Sequence, residues 1–402
     1  MDSVNLELIE LISTPSPTKI VLVVIDGLGG LPDKSGKTEL ETARTPNMNS
    51  LAEKGVCGLI DPVSPGVTPG SSPAHLALFG YNPISFEVGR GVVEAVGIDF
   101  DLEGEDIAAR GNFCTVNKNG LVTDRRAGRI STEECTRLCK LLDGLVIDKV
   151  KILVRPVRGH RLVAIFRGEG LLPDISDSDL QHTGAAPRSI NALCLEASRM
   201  ASVANQFMDK AKAVLAKHHP ANMVLLRGFS QRPHFPTMGE IYGLKPAAIA
   251  SYPMYRGIAK LVGMEVLKTG ATMEAEFNTL KQNYAGYDFF FLHIKEADLA
   301  GEDGDFEGKV RVIEEADRAL ATLISLKPDV IVVTGDHSTP ATLKGHSWHP
   351  VPVLLSSKWC RPDKVREFSE STCVSGGLGR LPATQVMPLA MAHAGKLTKF
   401  GA

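Results

Sequence analysis

The chain has no cysteine framework. Its seven cysteines are an odd number, lie scattered and include no Cys-x-x-Cys pair, which argues against a disulfide-stapled fold and for a reducing, cytoplasmic compartment. No apolar run approaches the roughly 20 residues of a membrane span. The amino terminus, Met1-Asp-Ser-Val-Asn-Leu-Glu7, lacks the basic stretch followed by an apolar one that marks a secretory signal. Residues 1–18, ending Thr14-Pro-Ser-Pro-Thr18, read as a short leader of unassigned order. Positive charge is not in excess either: the net charge is −2, and nothing global points to nucleic acid. Internal repeats and low-complexity tracts are absent.

What the sequence does contain is a set of buried-strand patterns that end in acids. Asp329-Val-Ile-Val-Val-Thr-Gly335 runs without polar alternation, as a parallel strand buried on both faces does, and Asp336-His337 follow at once. Ile20-Val-Leu-Val-Val-Ile25 ends in Asp26, and Tyr287-Asp-Phe-Phe-Phe-Leu-His-Ile-Lys-Glu-Ala-Asp298 ends in acids that continue through Glu302, Asp303 and Asp305. His346 precedes a further apolar run, Val351 to Leu355. Taken singly, Asp-Gly and Asp-His suit plain turns, the acidic tract suits a solvated loop, and a lone histidine suits a structural role. Taken together, Asp26, Asp298, Asp336, His337 and His346 collect beyond strand ends, where α/β sheets place their chemistry. Carboxylate plus imidazole is a ligand set for Mn²⁺, Zn²⁺ or Fe rather than a soft thiolate site.

The length of 402 residues suggests about two domains, and 44% hydrophobic with 22% charged residues reads as a soluble globular chain. Strands alternating with helices indicate an α/β fold with a mainly parallel sheet. Helices are expected over Thr45–Gly55, Ala192–Lys217, Tyr255–Gly263 and Val310–Leu326, and a strand over Asn222–Arg227. From 103 to 235 there are 20 Lys and Arg against 14 Asp and Glu, whereas the remainder holds 24 against 32. The middle segment also carries 13 of the arginines, against 8 elsewhere. Arginine suits bidentate grip on phosphate or carboxylate. An Arg-rich insert, residues 103–235, within a core formed by 1–102 and 236–402 is therefore expected, with an anionic substrate bridging them; a solvated basic face accounts for the same counts. In Gly70-Ser71-Ser72-Pro73-Ala74-His75, Pro73 suits a first helical position with Ser72 as cap. Ser71 would then lie at a helix amino terminus that favours an anion, though both serines could merely cap.

These stretches, in this order, resemble the archaeal-type, cofactor-independent phosphoglycerate mutases of the alkaline phosphatase superfamily. The resemblance runs from about residue 19 to the carboxyl end. It rests on Val-Ile-Asp26-Gly-Leu-Gly, Pro-Gly70-Ser71-Ser-Pro-Ala-His75, Asp124-Arg-Arg-Ala-Gly-Arg129, His293-Ile-Lys-Glu-Ala-Asp298, Thr334-Gly-Asp336-His-Ser-Thr-Pro340, and His346 followed by Pro350-Val-Pro352. It implies an alkaline-phosphatase-like core with a smaller α+β insert, and interconversion of 3- and 2-phosphoglycerate without 2,3-bisphosphoglycerate. It also implies two divalent metal ions, typically Mn²⁺ with Zn²⁺ or Mg²⁺ as alternatives, and Ser71 as the residue phosphorylated in turnover. Asp26, Ser71, Asp336 and His337 would hold one metal, and Asp298, His346 and position 302 the other. Substrate contacts fall to Asn112, Asp124, Arg125, Arg161 and Arg227 of the insert and to Arg256 of the core. The chain departs from the family at Glu302, where histidine is usual; glutamate can ligate through oxygen, or Asp303 could take its place. Rival readings are a metal-dependent phosphatase or phosphodiesterase on the same core, and a silent phosphometabolite-binding homologue.

Overall fold

The structure is a computed structural model that describes residues 5–401. They form two compact units: the residues up to Glu87 together with those from Phe235 onward, and Val88–His234. In chain order the strands are β1 (Ile20–Ile25), β2 (Val56–Asp61), β3 (Ile107–Val116), β4 (Val122–Asp124), β5 (Leu145–Ile147), β6 (Val150–Arg158), β7 (Arg161–Arg167), β8 (Met223–Ser230), β9 (Pro246–Ile249), β10 (Glu265–Val266), β11 (Phe289–Ile294), β12 (Val330–Thr334), β13 (Val351–Ser357) and β14 (Gly379–Pro382).

The first unit holds an eight-stranded sheet in the order β10-β9-β11-β1-β12-β13-β2-β14. Every pairing from β10 to β12 is parallel, β13 runs against both neighbours, and β14 lies parallel to β2. β1, β11 and β12 are buried at every position. Their runs of Val, Ile, Leu and Phe show no alternation because neither face of the sheet meets water. The helix expected from Val310 starts earlier, at Phe306, because the Asp305 side chain accepts the Gly308 N–H and caps it. That helix, Phe306–Ser325, buries the stripe Val310, Ile313, Ala316, Leu320 and Leu323.

Three further expectations shift. Within the described part of the leader, Leu6–Ile12 forms a helix capped by the Asn5 side chain. The segment after it is clasped by the chain's far end: Ser13 bridges Leu397, the Thr398 N–H donates to Ile12 O at 2.7 Å, and the Lys396 ammonium donates to Ser16 O at 2.7 Å. The strand expected to stop at Arg227 continues to Ser230, because it pairs with β3 as far as Ala108. The second unit begins at Val88, before the boundary of 103 drawn from charge, and ends at His234. The reason is the helix Arg90–Gly97, which buries Val92, Val93 and Val96 and packs on β3 and β8.

The second unit is α+β. Its six-stranded sheet is antiparallel throughout, with β3 paired to β4, β7 and β8, and β6 to β7 and β5. Helices Thr132–Leu142 and Ser198–Leu215 pack against one face, joining Ile107, Ala109 and Phe113 of β3 and Leu162, Ala164 and Phe166 of β7 in one apolar core. Among the described residues, no helix is long and apolar enough to cross a membrane.

Candidate active site

The carboxyl ends of the three central parallel strands finish together, because Ile25 lies opposite Ile294 and Val24 opposite Thr334. Asp26 follows β1, Asp336 and His337 follow β12, and β11 delivers His293, then Lys295, then Asp298 at the start of helix Glu296–Asp303. The first turn after β1 can close on its neighbours only through Gly27. Its φ is +69°, and a Cβ there would meet Thr339 Oγ1 at 2.7 Å and the Asp298 Cα at 2.9 Å.

Two overlapping groups of metal-ligand atoms result, Asp26–Asp336–His337 and Asp298–His337–His346. His337 Nε2 lies 3.4 Å from Asp26 Oδ1 and 3.1 Å from Asp336 Oδ2. Both carboxylate oxygens are buried without a hydrogen-bond partner. The other oxygen of Asp336 accepts N–H groups from Gly27 at 3.1 Å and His337 at 3.0 Å. Ser71 Oγ lies 3.3 Å from His337 Nε2. In the second group His346 Nε2 is 3.5 Å from Asp298 Oδ1, and the rings of His337 and His346 stack at 3.6 Å. His337 Nδ1 is engaged at 2.9 Å by the Thr339 hydroxyl, which donates to Asp298 Oδ1 at 2.7 Å. The other ring nitrogen of His337, Nε2, therefore faces Ser71, Asp26 and Asp336.

Charge in the cluster is partly offset by one lysine. The Lys295 ammonium donates to Asp26 Oδ2 at 3.1 Å, Asp298 Oδ2 at 2.6 Å and the Tyr255 hydroxyl at 2.9 Å. Burial works against its proton, yet Asp26, Tyr255 and Asp298 hold its pKa well above the usual lysine value. Burial pushes the Asp26 carboxyl up, but Lys295 and the hydrogen bond from His293 overcome it and hold it well below the carboxylate range. Asp336 has no such cation at contact, so burial and the Asp26 charge push it well up. Burial also pushes His337 well below the usual imidazole value, and burial with His293 brings His75 down to about 3. Neutral imidazoles beside unpartnered buried carboxylate oxygens fit a divalent cation by donor chemistry.

The serine motif folds differently from the expected cap. Helix Ser71–Leu78 begins at Ser71 itself, and extended Gly70 is its cap residue, so Ser72 is not the cap. Pro73 is accommodated in the first turn, where its missing N–H has no intrahelical partner to lose. The Ser71 side chain caps nothing and is left for His337. His75 Nδ1 pairs with Ser71 O at 2.8 Å and lies 3.4 Å from Asp336 Oδ2. Glu302 is on the same helix as Asp298, one turn further on, and is exposed, as is Asp303. Among the described residues, neither joins the ligand groups. Arg256 is half-buried on helix Pro253–Leu261 of the first unit.

In the second unit, strand alternation sorts the side chains by face. Ile107, Ala109 and Phe113 enter the apolar core, so Arg110 and Asn112 face the other way. Arg227 of β8 is in register with Arg110, and Arg161 of β7 with Asn112, which puts all four on one face. Arg110 Nε, Arg227 Nε and Asn112 Oδ1 are buried without hydrogen-bond partners. Burial, then Arg110 and Arg90, bring the Arg227 pKa down to about 9. Burial and Arg161 likewise bring His160 down to about 4. Glu94 lies 3.7 Å from Arg110, and Arg227 donates to Gln181 at 3.0 Å; cations crowded to this degree, with Nε donors unused, suit an anion. Two other candidates have partners within the unit: Arg125 makes a two-pronged pair with Asp179 at 3.1 and 2.6 Å, and Asp124 accepts the N–H groups of Arg126 and Gly128.

Reading the sequence missed Lys295, His293, Tyr255 and Thr339 in the first unit and Arg110 in the second. His293-Ile-Lys295 breaks an otherwise apolar strand, which was the available signal. Arg110 lies two residues before Asn112 in the same strand, and period-two alternation could have found it.

A family model described as 2,3-bisphosphoglycerate-independent phosphoglycerate mutase matches residues 52–222. The probable 2,3-bisphosphoglycerate-independent phosphoglycerate mutase of Thermosipho melanesiensis is 48% identical over 395 residues, covering 98% of each chain. That of a Thermus thermophilus strain is 49% identical over 393 residues, 96% of this chain and 97% of its own. Among solved structures, the PH0037 protein from Pyrococcus horikoshii superposes with a TM-score of 0.83 at 30% identity, covering 96% of this chain and 99% of its own. The cofactor-independent phosphoglycerate mutase of Thermoplasma acidophilum gives a TM-score of 0.69 at 30% identity, with 94% and 100% covered.

Proposed function

The chain belongs to the 2,3-bisphosphoglycerate-independent phosphoglycerate mutases, and we propose that Ser71 carries the phosphoryl group between the 3- and 2-oxygens of glycerate. The observation that carries this reading is the Ser71 hydroxyl, free of capping duty and 3.3 Å from His337 Nε2, beside the unpartnered oxygens of Asp26 and Asp336. Asp26, Asp336, His337 and Ser71 would hold one divalent ion, and Asp298 and His346 a second; the donor set suits Mn²⁺, Zn²⁺ or Fe, and the family resemblance selects Mn²⁺ among them. Bound there, the ions would supply Lewis acidity and make the serine hydroxyl a competent nucleophile at neutral pH.

The chain's own residues do the rest. The Ser71 oxygen bonds to phosphorus as the bond from phosphorus to the 3-oxygen breaks, and the hydroxyl proton passes to that 3-oxygen. The 2-hydroxyl oxygen then bonds to phosphorus as the phosphoserine bond breaks, and the 2-hydroxyl proton passes to the Ser71 oxygen. The exchange is neutral in protons and in phosphate. Lys295 keeps its proton and offsets Asp26 and Asp298. Asn112, Arg161 and Arg227, joined by Arg110, bind the substrate's carboxylate and phosphate, because phosphoryl transfer depends on positioning and charge compensation. Asp124 and Arg125 shape that face through their own partners.

The test is a coupled assay of 3- to 2-phosphoglycerate conversion with Mn²⁺ and no added 2,3-bisphosphoglycerate, with peptide mapping of protein quenched during turnover. Phosphate on Ser71, lost together with activity in Ser71→Ala and retained in Ser72→Ala, is the expected result. Phosphate on Ser72 would overturn the assignment, and inorganic phosphate released in step with substrate loss would mark a phosphatase instead.

A further inference from the structure

Behind the ligand cluster lies a second group of buried charges that the reaction does not touch. Lys309, on helix Phe306–Ser325, is fully buried. Its ammonium donates to Gly29 O and Thr339 O, both at 2.9 Å, and lies 3.8 Å from Glu39 Oε1. Glu39 is also fully buried, and its Oε1 accepts the Ala341 N–H at 2.8 Å. Glu370 Oε1 accepts the Gly30 N–H at 2.8 Å, and its Oε2 accepts the Thr38 hydroxyl at 2.8 Å. Gly30 must be glycine for this to close, since a Cβ there would run into Glu39 Oε2.

The backbone groups held in this way belong to two loops. Gly29 and Gly30 follow Asp26; Thr339 and Ala341 follow Asp336 and His337. The loops also meet directly, the Thr339 N–H donating to Gly29 O at 3.0 Å. One ammonium thus ties the carbonyls of both loops, and two carboxylates tie an N–H of each. Thr339 is the residue whose hydroxyl engages His337 Nδ1 and Asp298 Oδ1. Burying Lys309 and Glu39, with Glu370 half-buried beside them, is costly, the more so because Glu39 Oε2 has no hydrogen-bond partner, and an apolar cluster would hold a helix to a sheet as well. A charged cross-brace earns its place where two loops must be held to within about 0.5 Å, as a preorganised metal site requires.

We propose that Lys309, with Glu39 and Glu370, is a positioning cluster that sets the spacing of the Asp26 loop against the Asp336–His337 loop, and through Thr339 the orientation of His337. It rests on the metal-site reading above. The cluster touches neither metal nor substrate. Its effect is to fix where the unpartnered carboxylate oxygens point.

The experiment measures Mn²⁺ binding to the full-length protein by calorimetry, alongside thermal melting of the metal-free protein and steady-state kinetics. Lys309→Met alone leaves two buried carboxylates without a cation and can fail to fold. The double variant Lys309→Met/Glu39→Gln removes one cation and one anion, which keeps the buried charge balance. Leu323→Ala, in the same helix, is the control for stability alone. The expected result is a loss of Mn²⁺ affinity of about 10- to 100-fold in the double variant, the scale of lost outer-shell support. Its kcat should fall while KM for phosphoglycerate stays, and Leu323→Ala should melt earlier with unchanged Mn²⁺ affinity. A folded double variant that binds Mn²⁺ like the parent would overturn the proposal. Asp336→Asn separates the two ideas: if it too binds Mn²⁺ like the parent, the metal-site reading itself fails.

Discussion

The two units place charge by different geometry. In the first, a parallel sheet buried on both faces gathers acids and imidazoles at strand ends, where three adjacent strands stop together. In the second, an antiparallel sheet with one core face sets arginines along the other face by simple alternation. The ends of parallel strands converge on a point and suit a compact cation. The face of an antiparallel sheet spreads donors over a surface and suits an extended anion. The first unit sets Lys295 against Asp26 and Asp298 and leaves Asp336 without a cation at contact, whereas the second sets Glu94 3.7 Å from Arg110 and leaves the Nε groups of Arg110 and Arg227 without hydrogen-bond partners.

The sharpest way to break this contrast is at the strand ends. Asp336→Asn or His337→Ala should lower turnover by about a thousandfold or more, since metal Lewis acidity supplies several kcal/mol. Metal analysis of the purified variants should show the loss. Next in size, Arg227→Ala or Arg161→Ala should raise KM for phosphoglycerate by about 1.5–3 kcal/mol, or roughly 10- to 100-fold, the range for a hydrogen bond to a charged group. Bound metal should not change; a fall in metal content would erase the division of labour. Glu302→Gln should weaken Mn²⁺ binding less than Asp298→Asn does, because Glu302 is exposed and Asp298 is buried. Equal losses in a titration of the two variants would return Glu302 to the ligand set.

The smallest effect concerns a buried acid of the first unit that has no lysine. Burial, with Glu296 nearby, pushes Glu276 from the ordinary 4.5 up to about 8. Below about pH 4.5 the carboxyl is protonated whether the chain is folded or not, and it costs nothing. As pH rises towards 8 the unfolded chain releases the proton while the folded one retains it, so the native state loses stability across that window. Glu276→Gln should therefore melt like the parent near pH 4.5 and higher than the parent at pH 8.5. Parallel shifts at both pH values would show that the charge is not the cause.

Much of the site was legible in the sequence. Asp26 and Asp336-His337 stood out because a strand buried on both faces tolerates no acid, so the first one marks its end. The arginine count marked the second unit, but not its start. Helix Arg90–Gly97 is nearly neutral, and only its packing on β3 and β8 assigns it there. Glu39, Lys309 and Glu370 could not be singled out at all. Each looks like an ordinary helix charge, and their sequence separation hides the pairing that burial enforces. Lys295 was in view as part of a motif, yet nothing local says that its ammonium will reach Asp26 at the end of the neighbouring strand. The Ser72 cap failed for a backbone reason, since Gly70 already supplied the extended residue a helix start needs.

The clasp between residues 12–16 and 396–398 makes the molecule a candidate for circular permutation. The hydrogen bonds hold residues 12–16 against 396–398, so a linker from Gly401 to Asn5 long enough to pass the helix Leu6–Ile12 would join the two segments. A chain written from Phe235 to Gly401, through that linker, and on from Asn5 to Glu87 would turn the interrupted first unit into one continuous polypeptide. It would contain Asp26, Ser71, Asp298, Asp336, His337 and His346 and none of the arginine face.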